Sequence, residues 1–286
     1  MVSVIIVSYK VKYYIEQVLR SLYRSNQEIE VFVVDNASGD DTIEYLSARY
    51  PDVHYIANRE NVGFGRANNQ ALKLAKGKYV LFLNPDTIVA ERTIEGCVNL
   101  MESDSGVGAI GVRMQYSDGH FAPESRRSVP TPFVSFCKMS GLGRLFPNSK
   151  LFARYHLSYI DKYLACDIEV VSGAYMFVRK EALDKVGGFD ETFFMYGEDV
   201  DLSYRILKAG YRNCYLPLPI LHYKGESTTK TSYSYAKAFY DAMTIFFTKH
   251  YRHSSRFFTI LVKMVVGIQK IYTYIKNKLI KKDISG

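Results

Sequence analysis

Four consecutive apolar residues, Val80 to Leu83, run from Gly77 straight into Asn84-Pro85-Asp86. A strand with no polar alternation is buried on both faces, and two-sided burial belongs to the interior of a parallel sheet covered by helices. In open sheets of that kind, ligands bind beyond the carboxyl ends of the strands. Asp86 is therefore expected at the lip of a crevice, its carboxylate free for a divalent cation, with Asn84 offering a second oxygen across the rigid proline. Read alone, Asn-Pro-Asp after a strand is also ordinary turn punctuation.

The first half of the chain repeats the pattern. Apolar runs at Val2–Val7, Glu30–Val34 and Val53–Ala57 alternate with helical periodicity at Tyr14–Tyr23, Asp41–Tyr50 and Phe64–Ala75, the last with Ala67, Ala71, Leu74 and Ala75 on its inner side. The alternation predicts right-handed crossovers, a mainly parallel Rossmann-like α/β sheet and helices on both faces. Each early strand ends in polar residues: Ser8-Tyr9, then Asp35-Asn36-Ala-Ser38-Gly-Asp40, then Asn58 through Asn61-Val-Gly63-Phe-Gly65. Three such loops point to one side of the sheet, where Asp35 can accept hydrogen bonds from a nucleotide, though an Asx turn explains it equally when taken singly. Asn68 stands where a dinucleotide fingerprint needs its third glycine, which disfavours a nicotinamide enzyme.

Taken in order, Ser8-Tyr9, Asp35-Asn36-x-Ser38-x-Asp40, Asn61-x-Gly63-Phe-Gly65-Arg66-Ala-Asn68-Asn69 and Leu83-Asn84-Pro85-Asp86 resemble the family 2 glycosyltransferases of GT-A fold, most of all their bacterial rhamnosyltransferase-type members. The resemblance implies a sugar-nucleotide donor held by Ser8, Tyr9, Asp35, Asn36, Ser38, Asn61, Gly63, Arg66, Asn68 and Asn84. It makes Asp86 the last residue of the metal-binding Asp-x-Asp element, with Asn84 replacing the first acid, for Mg²⁺ or Mn²⁺.

Later segments extend the likeness. Ser172-Gly173-Ala174 breaks a β-rich run at 169–178, as glycine does where something approaches the backbone closely, and it resembles the donor-sugar segment. Gly197 turns the chain into a helix headed by Glu198-Asp199-Val-Asp201. Acids at a helix start are favoured by the dipole, and Asp201 with Arg205 makes an i,i+4 pair. Similarity to the family's Glu-Asp motif implies a catalytic role for the first two, Asp199 as base and Glu198 positioning the acceptor or substituting for Asp199. His222, beyond a strand at Tyr211–Leu216 and an expected turn at Pro217-Leu-Pro219, resembles the late histidine that completes the metal or diphosphate site. Between them, residues 115–165 carry four prolines and lose regular patterning, an irregular insertion expected to fold over the site; Arg126 or Arg127 is the candidate for donor phosphate, and a solvated basic turn the bland alternative.

The 286 residues, with 48% hydrophobic and 23% charged, suffice for a full core, and the net charge of +8 suits anionic partners. Cys97, Cys137, Cys166 and Cys214 form no Cys-x-x-Cys pair and are expected as unpaired thiols, and Val4–Val7 is too short for a signal peptide, so the catalytic part is expected in the cytosol. The division expected is a catalytic unit at 1–230 and a helical region at 231–286. In the latter, lysines between 257 and 280 interleave with apolar residues as in a membrane-surface helix, with packing on the domain or a homodimer contact as the alternative. The expected activity is inverting transfer of rhamnose from dTDP-rhamnose, or another hexose from UDP, to a glycan or lipid-linked saccharide; a non-catalytic sugar-nucleotide module is the alternative. No nucleic-acid motif is present.

Overall fold

The computed structural model describes residues 1–223 and 233–251, with the single residue 267 beyond them. Strands β1 (Val2–Ser8), β2 (Ile29–Asp35), β3 (His54–Ala57) and β4 (Tyr79–Leu83) are parallel and linked by helices α1 (Lys12–Leu22), α2 (Thr42–Ser47) and α3 (Phe64–Leu72). Alternate residues of β1 go to opposite faces. Val4 and Ile6 meet Ile15, Val18, Leu19 and Leu22 of α1, whereas Ile5 and Val7 meet Ala67 and Ala71 of α3. Two covered faces are the reason the strands read as unbroken apolar runs. Helix α3 ends a turn earlier than its periodicity suggests, and Leu74 is exposed.

The chain continues through β5 (Thr87–Val89), α4 (Thr93–Ser103), β6 (Val107–Gln115), α5 (Pro132–Met139), α6 (Leu142–Leu145), β7 (Cys166–Ile168), β8 (Tyr175–Arg179), α7 (Lys180–Val186), α8 (Glu198–Lys208), β9 (Arg212–His222) and α9 (Tyr233–His250). The sheet runs β3-β2-β1-β4-β8-β6-β9-β5, with β7 on β9. Its first four strands are the expected parallel unit. Strand β8 lies antiparallel to β4 and β6, so Tyr175 sits opposite Leu83 and the Ser172–Ala174 segment lies against Asn84, whose N–H donates to the Ala174 carbonyl at 3.0 Å.

Two expectations need correction here. Pro217-Leu-Pro219 is not a turn that ends the strand: β9 continues to His222, and its pairing with β6 slips between Leu216 and Pro219. A bulge is how a strand carries residues that cannot donate to the ladder, and the Pro217 carbonyl is used instead by Arg113. The 115–165 insertion also contains more regular structure than its prolines imply. Pro132 opens α5, with Thr131 capping it, because proline costs nothing at a helix start.

Helix α9 is part of the same body. Ala242 and Phe246 pack with Val129, Val170 and Phe193, and its end is tied by Lys249 to Asp190 and by His250 to Asp201. Asp201, fully buried, also binds Arg205 at 2.7 Å, so its role is structural as its helical spacing suggested. The membrane-surface reading of 257–280 lies outside the described residues. Among the described residues no helix is long and apolar enough to cross a membrane. All four cysteines are unpaired.

Candidate active site

A cavity of about 650 Å³ opens at the carboxyl end of the parallel strands. Its floor comes from the loops that follow β1, β2, β3 and β4: Tyr9, Asn36, Asn61, Asn84 and Pro85 line it. These loops are held in unusual conformations. Lys10 and Ala37, neither of them glycine, have φ of 58° and 65°, and Tyr196, on the opposite wall, has 70°. Left-handed backbone outside glycine is uncommon and persists where the surroundings impose it, which occurs most at functional sites. The amide of Asn36 donates to Asn61, while its oxygen accepts from Asn58 and from the Val62 N–H, so the loops after β2 and β3 are fixed as one unit. Gly63 is required by contact as well as by its φ of 87°, since a Cβ there would lie 2.8 Å from the Phe194 carbonyl oxygen.

The short strand β5 decides the second element. Because Thr87 pairs with His222 across β9, Asp86 Oδ1 comes to 3.3 Å from His222 Nε2, with both side chains buried. Among the described residues His222 Nδ1 has no hydrogen-bond partner, and the imidazole lines the cavity. A carboxylate and an imidazole with an unused nitrogen suit Mg²⁺ or Mn²⁺, ions that take few protein ligands and complete their shell with substrate phosphates and water. Among the described residues no cluster of three or more His, Cys, Asp or Glu forms a closed metal cage.

The third element is the start of α8. Tyr196 and Gly197, both left-handed, turn the chain so that Glu198 and Asp199 enter the cavity wall. Among the described residues Asp199 receives three donors: Arg127 and the Gly173 N–H at Oδ2, and the Val200 N–H at Oδ1. A carboxylate has about four acceptor positions, so one remains for an incoming hydroxyl. Glu198 differs sharply. It is 7% exposed, and its Oε2 has no partner among the described residues. Burial, and next the neighbouring Asp199 charge, pushes its carboxyl up from 4.5 to about 8. The shift favours the protonated form, which can donate a hydrogen bond.

That protonation has a measurable consequence for stability. Between about pH 4.5 and 8 the unfolded chain has lost this proton and the folded chain keeps it, so stability falls as pH rises through that window. The loss is on the order of a few kcal/mol by linkage. A Glu198→Gln variant is expected to lose this part of the slope in urea midpoints compared at about pH 5 and pH 8. An unchanged slope would assign it to other groups.

The insertion supplies the remaining wall through Arg127, Lys138, Tyr155 and His156. Lys138 Nζ lies 3.5 Å from the centre of the Tyr155 ring. Burial would raise the Tyr155 hydroxyl, but Lys138 and Arg127 outweigh it and the net shift is downward. For His156, burial and the same two cations act together and push it down to about 4, leaving a neutral ring. Helix α9 closes the cavity with Met243, Phe246 and Phe247.

The sequence candidates divide accordingly. Tyr9, Asn36, Asn61, Asn84, Gly173, Glu198, Asp199 and His222 line the one cavity, with Asp86 immediately behind His222. Asp35 and Ser38 bind each other beside it, the serine donating its hydroxyl and N–H to the carboxylate. Ser8 is fully buried, and its carbonyl holds the Asn36 N–H. Three candidates lie apart from that lining. Arg126 is buried between the Phe121 and Tyr215 rings and donates to the Asp161 carbonyl, so Arg127 takes the cavity position instead. Arg66 is an exposed partner of Glu191, and Asn68 donates within its own helix to the Phe64 carbonyl. Lys138, Tyr155, His156 and the α9 residues carry no local motif, and their role in the wall arises only from the packing of distant segments.

Comparison with known proteins agrees with this architecture. The profile of glycosyl transferase family 2 matches residues 3–187, and that of an N-terminal domain of galactosyltransferase matches 156–252. The N-acetylglucosaminyl-diphospho-decaprenol L-rhamnosyltransferase of Mycobacterium tuberculosis is 30% identical over 264 residues, covering 88% of this chain and 84% of that protein. Rhamnosyltransferase WbbL of Escherichia coli K12 is 28% identical over 235 residues, 78% of this chain and 83% of its own. Among solved structures, the Pyrobaculum calidifontis mannosyltransferase PcManGT, in complex with GDP-Man and Mn²⁺, superposes with a TM-score of 0.61 at 20% identity, covering 95% of this chain and 71% of that one. Staphylococcus aureus TarS 1-349 with UDP-GlcNAc gives 0.61 at 18%, covering 96% and 72%. These two likenesses establish the GT-A fold. With its motifs on one cavity and its family profile spanning most of the chain, this protein belongs to glycosyltransferase family 2.

Proposed function

We propose that the chain moves rhamnose, with inversion, from dTDP-rhamnose to a hydroxyl of a lipid-linked saccharide. The observation that carries this reading is one cavity lined by the strand-end residues Tyr9, Asn36, Asn61 and Asn84, by His222 with Asp86 against it, and by the Glu198–Asp199 pair. The relatives named above support the sugar and the acceptor class through what they are called.

In this mechanism the acceptor hydroxyl takes the remaining acceptor position on Asp199 and gives up its proton there as its oxygen attacks the anomeric carbon. The new carbon–oxygen bond forms on the face opposite the nucleotide, and the bond to the donor phosphate breaks with its electron pair leaving on the nucleoside diphosphate. Single displacement inverts the centre and needs no sugar bound to the protein. Arg127 and the Gly173 and Val200 amides hold Asp199 in place, which fixes the base relative to the sugar. Neutral Glu198 donates a hydrogen bond from its carboxyl to a sugar oxygen. Asp86 and His222 would hold Mg²⁺ or Mn²⁺, which when bound offsets charge on the departing diphosphate.

A panel of dTDP-, UDP- and GDP-sugars offered with a lipid diphosphate acceptor tests the proposal. Transfer from dTDP-rhamnose with inverted product stereochemistry is the expected result. Retention of configuration, or preference for a UDP-hexose, would overturn the corresponding part.

A further inference from the structure

The insertion presents a surface that transfer chemistry leaves unexplained. From Ser125 to Ile160 the chain has no acidic residue, and its exposed cations are Lys138, Arg144, Lys150 and Arg154, whereas Arg126 is buried and Arg127 is paired with Asp199. Within the same stretch Phe133, Phe136, Leu145, Phe146 and Leu151 are between 40% and 70% exposed. They belong to one short unit. Gly141, with φ of 80°, breaks α5 from α6, and Phe146 folds back on Phe152 with ring centres 5.6 Å apart. On α5 the three-residue spacing puts Phe133 and Phe136 on the side away from buried Val134 and Cys137.

Large exposed apolar groups clustered in this way mark interaction surfaces. The nature of the partner follows from the charge. A protein partner matched to a cationic rim requires a cluster of acids on its own side, and a second copy of this chain would place Arg144 and Lys150 against like charges. An anionic bilayer meets both features together, taking the aromatic and leucine side chains below the headgroups and the cations at their level. We propose that the α5–α6 hairpin docks this protein on an anionic membrane surface, distinct from any role of the residues beyond 251. The other side of α5 contributes Ser135, Lys138 and Met139 to the catalytic cavity, so docking would bring the cavity to the bilayer. The inference goes beyond the transfer reaction, because binding to a vesicle is measured without any sugar.

The test is cosedimentation of the full chain with phosphatidylglycerol–phosphatidylcholine vesicles and with phosphatidylcholine alone. Wild-type protein is expected to bind the anionic vesicles, less at high salt. The double variants Phe133→Ser with Phe136→Ser, and Leu145→Ser with Phe146→Ser, are expected to reduce the partition coefficient by about tenfold or more, from the transfer free energy of the side chains removed. Calorimetric binding of dTDP with Mn²⁺ is expected to be the same in wild type and both variants, which separates a lost surface from a lost fold. Wild-type partitioning by both variants would overturn the proposal, as would equal binding to neutral vesicles. A change of oligomeric state in the variants with no change in vesicle binding would instead make the hairpin a contact between copies.

Discussion

Replacing Asp199 by Asn is expected to lower sugar transfer by about 10²- to 10⁴-fold, the range that positioned general bases supply. The substitution keeps size and most geometry. Oδ1 can still accept the Val200 N–H, but the amide cannot take a proton from the acceptor hydroxyl, and its nitrogen cannot accept from Arg127 or Gly173. Arg127 keeps the Val171 carbonyl at 3.3 Å and the Tyr155 hydroxyl. Removing one partner of a buried ion pair is itself destabilising, so the measurement must separate chemistry from fold. Binding of dTDP with Mn²⁺ serves that purpose, because the nucleotide is proposed to bind at Tyr9, Asn36 and Asn61, and the donors that hold Asp199 come from Arg127, Gly173 and Val200. Donor binding within about threefold of wild type, together with the lost rate, is the expected outcome. An Asp199→Asn enzyme with near-normal turnover would move the base to Glu198, and Glu198→Gln would then be the inactive variant.

The second large effect is expected at Asp86. Substitution by Ala removes the carboxylate that faces His222, and a transfer rate lower by about 10²- to 10³-fold is expected if metal-assisted departure supplies several kcal/mol at about 1.4 kcal/mol per tenfold. The same variant should respond weakly to added Mg²⁺ or Mn²⁺ and bind Mn²⁺ more weakly in calorimetry without substrate. His222→Ala is expected to have the smaller effect, since the charged ligand stays. Wild-type rate and wild-type metal response in Asp86→Ala would remove both residues from the diphosphate site.

These two sites were not equally legible. Asp86 follows an apolar run that can be read as a buried strand with no knowledge of its neighbours, because two-sided burial leaves a continuous hydrophobic signature. Its relation to His222 cannot be read that way. It depends on the three residues of β5 pairing with the end of β9, a strand that continues through two prolines by a bulge. Likewise the adjacent Arg126 and Arg127 look alike in sequence. Alternation along an extended segment sends one to the Tyr215 ring and the other to Asp199, and only the register of the Arg127–Val170 bridge decides which.

The chain by itself determined the parallel half of the sheet, the polar loops at its strand ends and the acids at the start of α8. Those features follow from hydrophobic periodicity and turn chemistry, which act between residues close in sequence. The partner of each acid, the neutral state of Glu198 and the walls contributed by the insertion and by α9 were decided only by tertiary structure. Burial and ion pairing depend on what lies within a few ångströms, and here the neighbours come from segments tens to more than a hundred residues apart.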